Sequence, residues 1–561
     1  ALDAAGARLP LAIDAVDGSV RLTVPAAFVA DCHLPLVVDP LIRTETLQPT
    51  AFHEDAPSLA WCGQAQTWFA VWQRHYSATD LDVFAQRLDH TMTPVGTRTS
   101  IDMTLDSWER PKVASTHTPP RFLTVAQVVP AGNAGPSWIG GRLFRTDTGS
   151  FDPVLVIDRE GVAGHHPGNK TTPDVGGDTN GLSPSHFTVV FCREAGPDNR
   201  DVLLRQVTAD GALRTASALV LDDTRADEHS PAISHGNGWW VNDRQRWAVV
   251  WIRRAVHHGV PDGDVRAAII TTDGQPDPLA GGAPFTLDET AADDDAPSVS
   301  SLMEGDRVKF LFLCTVTRKV GGGDRDVFGI LFDGHGAVRS TQNLSQIDGS
   351  PAGIVQGDAS VDTDGARFVV TYTEHVGHTR SFLSLLAWQP HDDQLLLQQG
   401  RVQLASGYQR DARVCARSSS GAGHPHYGVA YTVLPGSGNR HVALALFDGV
   451  LPGGFSIRPT GCAGLEVTPA STPAIGHSIA FNLNRGGVVG MLLGLPAHVP
   501  LPCASCALGV ADPLLLPGTT LPIPPFPNLV GAVVAVQCFH VGTGTCFGNL
   551  ALSNTVDVTI Q

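Results

Sequence analysis

RWAVVWIRR (246–254) decides the fold, because the chain writes it seven times in variant form. The other copies are TWFAVWQR (67–74), RFLTVAQVV (121–129), HFTVVFCR (186–193), RVKFLFLCTV (307–316), RFVVTYTEH (367–375) and HYGVAYTVL (426–434). They align Trp68, Phe122, Phe187, Trp247, Val308, Phe368 and Tyr427, with steps of 54, 65, 60, 61, 60 and 59 residues. Self-similarity at this period marks a repeat architecture, and no segment sustains a 3.6-residue apolar pattern, so the repeats are not helical.

Working outward, each run follows a shorter D-x-P-x-V element. Examples are Asp55-Ala-Pro57-Ser-Leu59, Arg110-Pro111-Lys-Val113, His229-Ser-Pro231-Ala-Ile233 and Asp295-Ala-Pro297-Ser-Val299. Asp358-Ala-Ser-Val361 and Asp411-Ala-Arg-Val414 lack the proline, and Thr172-Pro173-Asp174-Val175 stands for the third copy. After each run come a turn, a further strand such as DVRAAIITTDG (264–274), and a fourth such as APFTLDE. Four strands in about 60 residues are one propeller blade, and the period is too short for an immunoglobulin-like array. The expectation is an all-β protein: a seven-bladed β-propeller over 48–460, followed by a C-terminal β-sandwich over 461–561 that loses the period. Residues 1–47 form an N-terminal β segment. Its stretch Leu41–Leu47 stands before the first copy as the outer strand of the last blade, and so closes the ring.

The 561 residues carry a formal charge of −17, which excludes a nucleic-acid partner for want of a basic face. The most apolar stretch, Val488–Leu501, is short and broken by Pro496 and Pro500, so no membrane span is expected. Ten cysteines and only four methionines fit an oxidising compartment. The chain opens at Ala1 inside a strand-forming segment, which predicts a processed form of a secreted or cell-surface protein.

Two patches resemble segments of exported bacterial β-propeller repeat proteins. One comprises Asp3-Ala-Ala-Gly6-Ala-Arg8-Leu9-Pro10, Leu22-Thr-Val24 and Leu34-Pro35-Leu36-Val-Val-Asp39-Pro40-Leu41-Ile42. The other comprises Gly461-Cys462-Ala-Gly464, Leu492-Leu493-Gly494, Pro527-Asn528-Leu529-Val530-Gly531, Gln537 and Leu552–Ile560. The resemblance implies architecture and secretion and no particular reaction.

Cys538 and Cys546 flank Val541-Gly-Thr-Gly-Thr545, a hairpin-like stretch, and are expected to form a disulfide. Cys503 or Cys506 is expected to pair with Cys462, while Cys192 and Cys314 fall in apolar runs as buried thiols.

Candidate chemistry gathers where the innermost strands begin. His53, Asp55, Glu109, Arg110, His229, Asp295, Tyr408 and Arg410 are the candidate ligand-binding residues of that channel mouth, and Asp293, Asp294 and Asp295 are candidate metal ligands, with calcium as the expected ion. Glu54, His165, His166, Asp227, Glu228, Asp358 and Asp411 join them. Only Arg110, Lys170 and Arg410 are expected as fixed positive charges, making the mouth electronegative. Against a site there, repeated Asp and Pro also shape turns. There is no nucleophile elbow, zinc-protease helix, phosphate loop or dinucleotide fingerprint. Without a motif for covalent chemistry, the expectation is a non-enzymatic extracellular binding or surface-assembly protein, its partner a glycan, a protein or further copies of itself. The alternative is an exported polysaccharide-degrading enzyme, a lyase or a glycoside hydrolase, working at the channel mouth.

Overall fold

The computed structural model describes residues 12–16, 19–23, 41–47 and 50–559. Excepted are 180–184, 238–244, 304–309, 405–407, 418–425, 435–437, 449–453, 461–464, 470–477, 485–488, 502–506, 524–532, 547–549 and isolated positions between them. The fold is all-β.

Each copy of the repeat forms an antiparallel sheet whose strands pair in chain order. Sheet 1 comprises His53–Cys62, Thr67–His75, Leu81–Asp89 and Pro94–Ser100; sheet 4 comprises Asp227–Ile233, Arg246–His257, Val260–Thr271 and Phe285–Asp288. Sheets 2, 3, 5, 6 and 7 begin with Ser107–Thr116, Lys170–Gly177, Asp294–Val299, Val355–Thr363 and Tyr408–Arg417. The fifth run starts later than the sequence spacing implies, as strand Leu311–Gly321, and Val308 lies outside the described residues.

The first strand of every sheet packs against the first strand of the next, and Tyr408–Arg417 returns to His53–Cys62, so the seven first strands form a closed ring. Leu41–Thr46 is the fourth strand of sheet 7, with Leu41 opposite Phe447 and Thr46 opposite Ala443. The last sheet thus joins both ends of the repeat region.

Apolar clusters between neighbouring sheets hold the ring together. Trp61, Trp68, Trp72 and Met92 of sheet 1 meet Leu444 and Leu446 of sheet 7, and Trp247, Val249 and Trp251 of sheet 4 meet Val190, Cys192 and Leu204 of sheet 3. Burying one such side chain stabilises by about 1.5–3 kcal/mol. Because both faces of each sheet are covered, the strands read as near-continuous apolar runs where alternation would mark a solvated face. Near the axis the sheets approach so closely that a side chain at Gly177 would put its Cβ 1.8 Å from the Ser115 carbonyl oxygen.

The D-x-P-x-V elements are β-bulges within the first strands, a different device from the turns their composition suggests. In all seven the pairing register shifts by one residue at this point, between Asp55 and Ser58 in sheet 1 and between Arg410 and Arg413 in sheet 7. The residue just before the proline position of each motif has positive φ: Ala56 (50°), Arg110 (53°), Thr172 (47°), Ser230 (52°), Ala296 (48°), Asp358 (53°) and Asp411 (54°). Proline suits the next position because the ladder is already interrupted and no N–H is required. Past the bulge, backbone N–H groups reach the neighbouring sheet: Val113 donates to Ser58 Oγ at 3.2 Å, Ile233 to Asp174 Oδ2 at 2.9 Å and Val414 to Ser360 Oγ at 3.3 Å.

The C-terminal region forms two sheets of its own. One contains Gly454–Arg458, Val489–Pro500, Ala507–Pro517, Val533–Cys546 and Leu550–Thr559; the other contains Val467–Pro469, Ser478–Leu483 and Thr520–Pro522. They share a core of Val467, Ile479, Phe481, Met491, Val536, Cys538, Val556 and Val558. Its first strand, Gly454–Arg458, precedes the expected boundary at 461.

The expected Cys538–Cys546 disulfide is corrected. Cys538 is a buried free thiol packed in this core, and the strand Val533–Cys546 breaks register between Val541 and Cys546, both of which stand opposite Leu550. Cys192 and Cys314 are buried free thiols, as their apolar setting implies. Cys462, Cys503 and Cys506 lie outside the described residues.

Candidate functional site

Both ends of the ring of first strands carry polar groups, and the two ends differ. At the N-terminal ends, the residues singled out from sequence are largely engaged in ion pairs. Asp55 is buried and meets His75 at 2.9 Å, Arg440 at 2.5 Å and Arg410 at 3.4 Å. Glu54 pairs with Arg74 at 2.6 Å and Arg98 at 3.1 Å, and Asp227 with Arg200 at 2.6 Å. Glu109 accepts a bond from Ser107 Oγ at 3.3 Å, and the Arg110 backbone N–H donates to Gln73 Oε1 at 2.9 Å. His53 Nδ1 accepts from the Arg440 backbone, and Tyr408 is exposed.

His229 is buried with its Nδ1 3.0 Å from Ser230 Oγ, and burial holds its pKa below the ordinary value. Among the aspartates, Asp294 is held by Arg318 at 2.8 Å, Asp293 lies 4.0 Å from Arg254, and Asp295 Oδ1 accepts the Ala296 N–H at 2.8 Å. Asp294 and Asp295 are successive strand residues and so point to opposite faces. Arginines from neighbouring strands, invisible to a reading of loop ends alone, therefore balance much of the negative charge expected here. Lys170 turns away from the axis: its Nζ donates to the His166 carbonyl at 2.8 Å and lies 3.5 Å from Asp158.

At the C-terminal ends all seven sheets contribute to one axial cavity of about 150 Å³. Its polar lining includes Ser115 and His117 of sheet 2, Thr179 after sheet 3's first strand, and His235 after sheet 4's. It continues with Ser301 after sheet 5's, Asp362 and Asp364 of sheet 6, and Cys415 of sheet 7. The rim is laced from sheet to sheet. Ser115 Oγ donates to the Trp61 carbonyl at 2.6 Å, Gly177 N–H to the His235 carbonyl at 2.8 Å, and Gly236 N–H to Ser301 Oγ at 3.0 Å.

Asp362 anchors this lacing. Its Oδ1 accepts the Ser301 N–H at 3.1 Å and its Oδ2 accepts the Ala416 N–H at 2.8 Å. Oδ2 also stands 3.7 Å from His235 Nδ1. Burial pulls the His235 pKa down, but Asp362 and Cys415 outweigh it and hold the imidazole well above its ordinary value. Asp362 is correspondingly lowered: burial pushes it up, and His235 with the two backbone donors overcomes that. Burial raises the Cys415 thiol. His235, Asp362 and Cys415 present ligand atoms within 4.8 Å of one another. Asp364 is fixed separately, by the Tyr427 hydroxyl and by the Arg367 backbone N–H at 2.7 Å. His117 places Nδ1 3.1 Å from Thr118 Oγ1, and burial lowers its pKa.

Sequence reading did not bring His117, His235, Ser301, Asp362, Asp364 and Cys415 together as a site. A signal existed: the residues that close each first strand (Ser234-His235, Ser300-Ser301, Asp362, Cys415) are polar where a purely structural repeat would keep one residue type.

No protein-family model matches this chain, and no curated protein matches its sequence. Solved structures with similar folds include the β-propeller domain of the Trilobed protease from Pyrococcus furiosus. It is 8% identical with a TM-score of 0.40, over 71% of this chain and 96% of that one. An α-L-arabinofuranosidase from Fusarium graminearum is 8% identical with a TM-score of 0.36, over 73% of this chain and 98% of that one. An endo-arabinase from Bacteroides thetaiotaomicron is 10% identical with a TM-score of 0.30, over 52% and 97%. The similar structures thus include a β-propeller domain and several glycoside hydrolases. The expectation of a non-enzymatic binding or surface-assembly protein is not kept, and the enzymatic alternative is taken up below. Among the described residues no helix is long and apolar enough to cross a membrane.

Proposed function

We propose that this chain is a secreted polysaccharide-degrading enzyme. In this reading it is a seven-bladed β-propeller closed by Leu41–Leu47, with a C-terminal β-sandwich, and its active site is the axial cavity at the C-terminal ends of the innermost strands. The observation that carries the reading is convergence: imidazole, carboxylate and hydroxyl groups from separate sheets line one concave site. Glycosidic bond cleavage needs one group to protonate the leaving oxygen and another to activate water. Asp364, which accepts from the Tyr427 hydroxyl and the Arg367 N–H, is assigned to activating water; His117, whose pKa burial lowers, is assigned to protonating the leaving oxygen from its imidazolium form, so activity should rise toward acidic pH.

Two features refine the substrate class. The described lining residues include no lysine or arginine, and the imidazole held charged among them, His235, is already paired with Asp362, so a uronate carboxylate finds no free countercharge; a neutral glycan and hydrolysis are favoured over elimination. At about 150 Å³ the cavity is smaller than the roughly 300–1,000 Å³ of drug-sized sites, which suits a terminal sugar better than the interior of a chain.

A panel of neutral polysaccharides and aryl glycosides, with products separated by chromatography, tests this. Release of single sugars from chain ends is expected. Unsaturated uronate products from acidic glycans, or inertness across the neutral panel, would contradict it.

A further inference from the structure

We infer that His235, Asp362 and Cys415 form a binding site for a zinc-type divalent ion at the floor of the ring. The three side chains line the same cavity but are not the acid–base pair assigned above, so ion binding does not depend on the glycan reading.

The donor set is the first argument. One thiol, one imidazole and one carboxylate converge, and this mixture of soft and borderline ligands selects Zn²⁺ or Co²⁺ over Ca²⁺ or Mg²⁺. Spacing is the second. Bonds of about 2.0–2.3 Å in a tetrahedral site put ligand atoms roughly 3.3–3.8 Å apart. His235 Nδ1 and Asp362 Oδ2 already stand at 3.7 Å, and all three ligand atoms fall within 4.8 Å, so closure on an ion needs a shift of about an ångström.

The supporting shell is the third. Among the described residues His235 Nδ1 has no hydrogen-bond partner, and the Cys415 thiol makes a long 3.7 Å bond to the Ala416 carbonyl. Asp362, by contrast, is oriented by the backbone N–H groups of Ser301 and Ala416, as metal-binding carboxylates commonly are by their outer partners. His235 is 24% exposed through the cavity, which gives an ion a way in and leaves a fourth coordination position facing the cavity. An ion here would tie sheets 4, 6 and 7 directly, and sheet 5 through Ser301.

The test uses the full chain, stripped with a chelator and titrated with Zn²⁺ alone and with Co²⁺ alone. One equivalent of Zn²⁺ is expected to bind, and the Co²⁺ form is expected to show a thiolate-to-cobalt charge-transfer band. Cys415→Ser should lose that band, and His235→Ala should weaken Zn²⁺ at least tenfold. Because either variant risks misfolding, the wild-type protein is also alkylated with iodoacetamide, with and without one equivalent of Zn²⁺, and the label at Cys415 quantified by mass spectrometry. Protection of Cys415 by zinc supports the site. Sub-stoichiometric binding, or equal labelling of Cys415 in both conditions, overturns it.

Discussion

His235 Nδ1 stands 3.7 Å from Asp362 Oδ2, although the two residues belong to the fourth and sixth sheets of the ring. Neither strand alone holds a site. The pairing exists because each first strand, kinked by its bulge, delivers its last residues to the axis, where sheets that are not sequence neighbours meet. The following predictions test the physical links in that arrangement.

The bulges should carry measurable backbone strain. Ala296 holds φ at 48°, which is costly for a residue with a Cβ. Ala296→Gly should stabilise the protein by about 0.5–1 kcal/mol, and Ala296→Val should destabilise it by more than that, because β-branched residues tolerate positive φ least. Urea unfolding followed by tryptophan fluorescence reads both.

Glu228 should make stability fall as pH rises. Burial pushes its carboxyl up to about 8, with Asp222 and Asp201 adding to the effect. Its folded-state pKa therefore lies above the ordinary value, so the folded protein holds an extra proton between about pH 4.5 and 8, and that contribution is lost as pH climbs through 8. Glu228→Gln should match wild type near pH 4 and exceed it by about 1–3 kcal/mol near pH 8.5. Parallel unfolding curves at the two pH values decide the matter, and equal stability of both proteins at pH 8.5 would refute it.

Lys112 sits on the innermost strand of sheet 2, where burial and then the Arg413 charge push its amine down to about 8. Near pH 8 it should be half neutral and hence more reactive than its solvated counterpart. Brief treatment with acetic anhydride at pH 8, followed by peptide mapping, should label Lys112 at a rate per neutral amine comparable to Lys319, and ahead of it in extent. Labelling of Lys319 first would contradict the assignment.

Cys538 should behave as an inert core thiol. Burial raises it to about 12, and it lies in the shared core of the C-terminal sheets. Together with Cys192, raised by burial to about 12, it should react with a thiol-specific reagent only in denaturant. Rapid native reaction of Cys538, or its recovery in a disulfide-linked peptide, would contradict the packing.

The repeat and the closing strand were legible because they depend on strand-forming runs and their spacing. The D-x-P-x-V motif was read as turn chemistry because Asp, Pro and small residues serve turns and bulges alike. What separates the two is a positive φ at Ala56 or Ser230, a backbone property that composition does not carry. The charge balance at the N-terminal ends was hidden for another reason: Arg74 and Arg440 reach Glu54 and Asp55 across strand pairings and sheet junctions. The axial cavity was hardest to see, since it is assembled from single residues about 60 positions apart. Cys538 misled through its glycine-rich surroundings, which suggest a cross-linked hairpin, whereas the thiol packs in the core of the C-terminal sheets.

The central claim is that the cavity at the C-terminal ends is the active site. Comparing sugar release from a neutral glycan by wild type, Asp364→Asn, His117→Ala and the opposite-end variant Arg410→Ala tests it most directly. The account predicts a loss of 10²-fold or more in kcat/KM for the first two variants, with Arg410→Ala close to wild type. Full activity in Asp364→Asn, or a loss confined to Arg410→Ala, would contradict it.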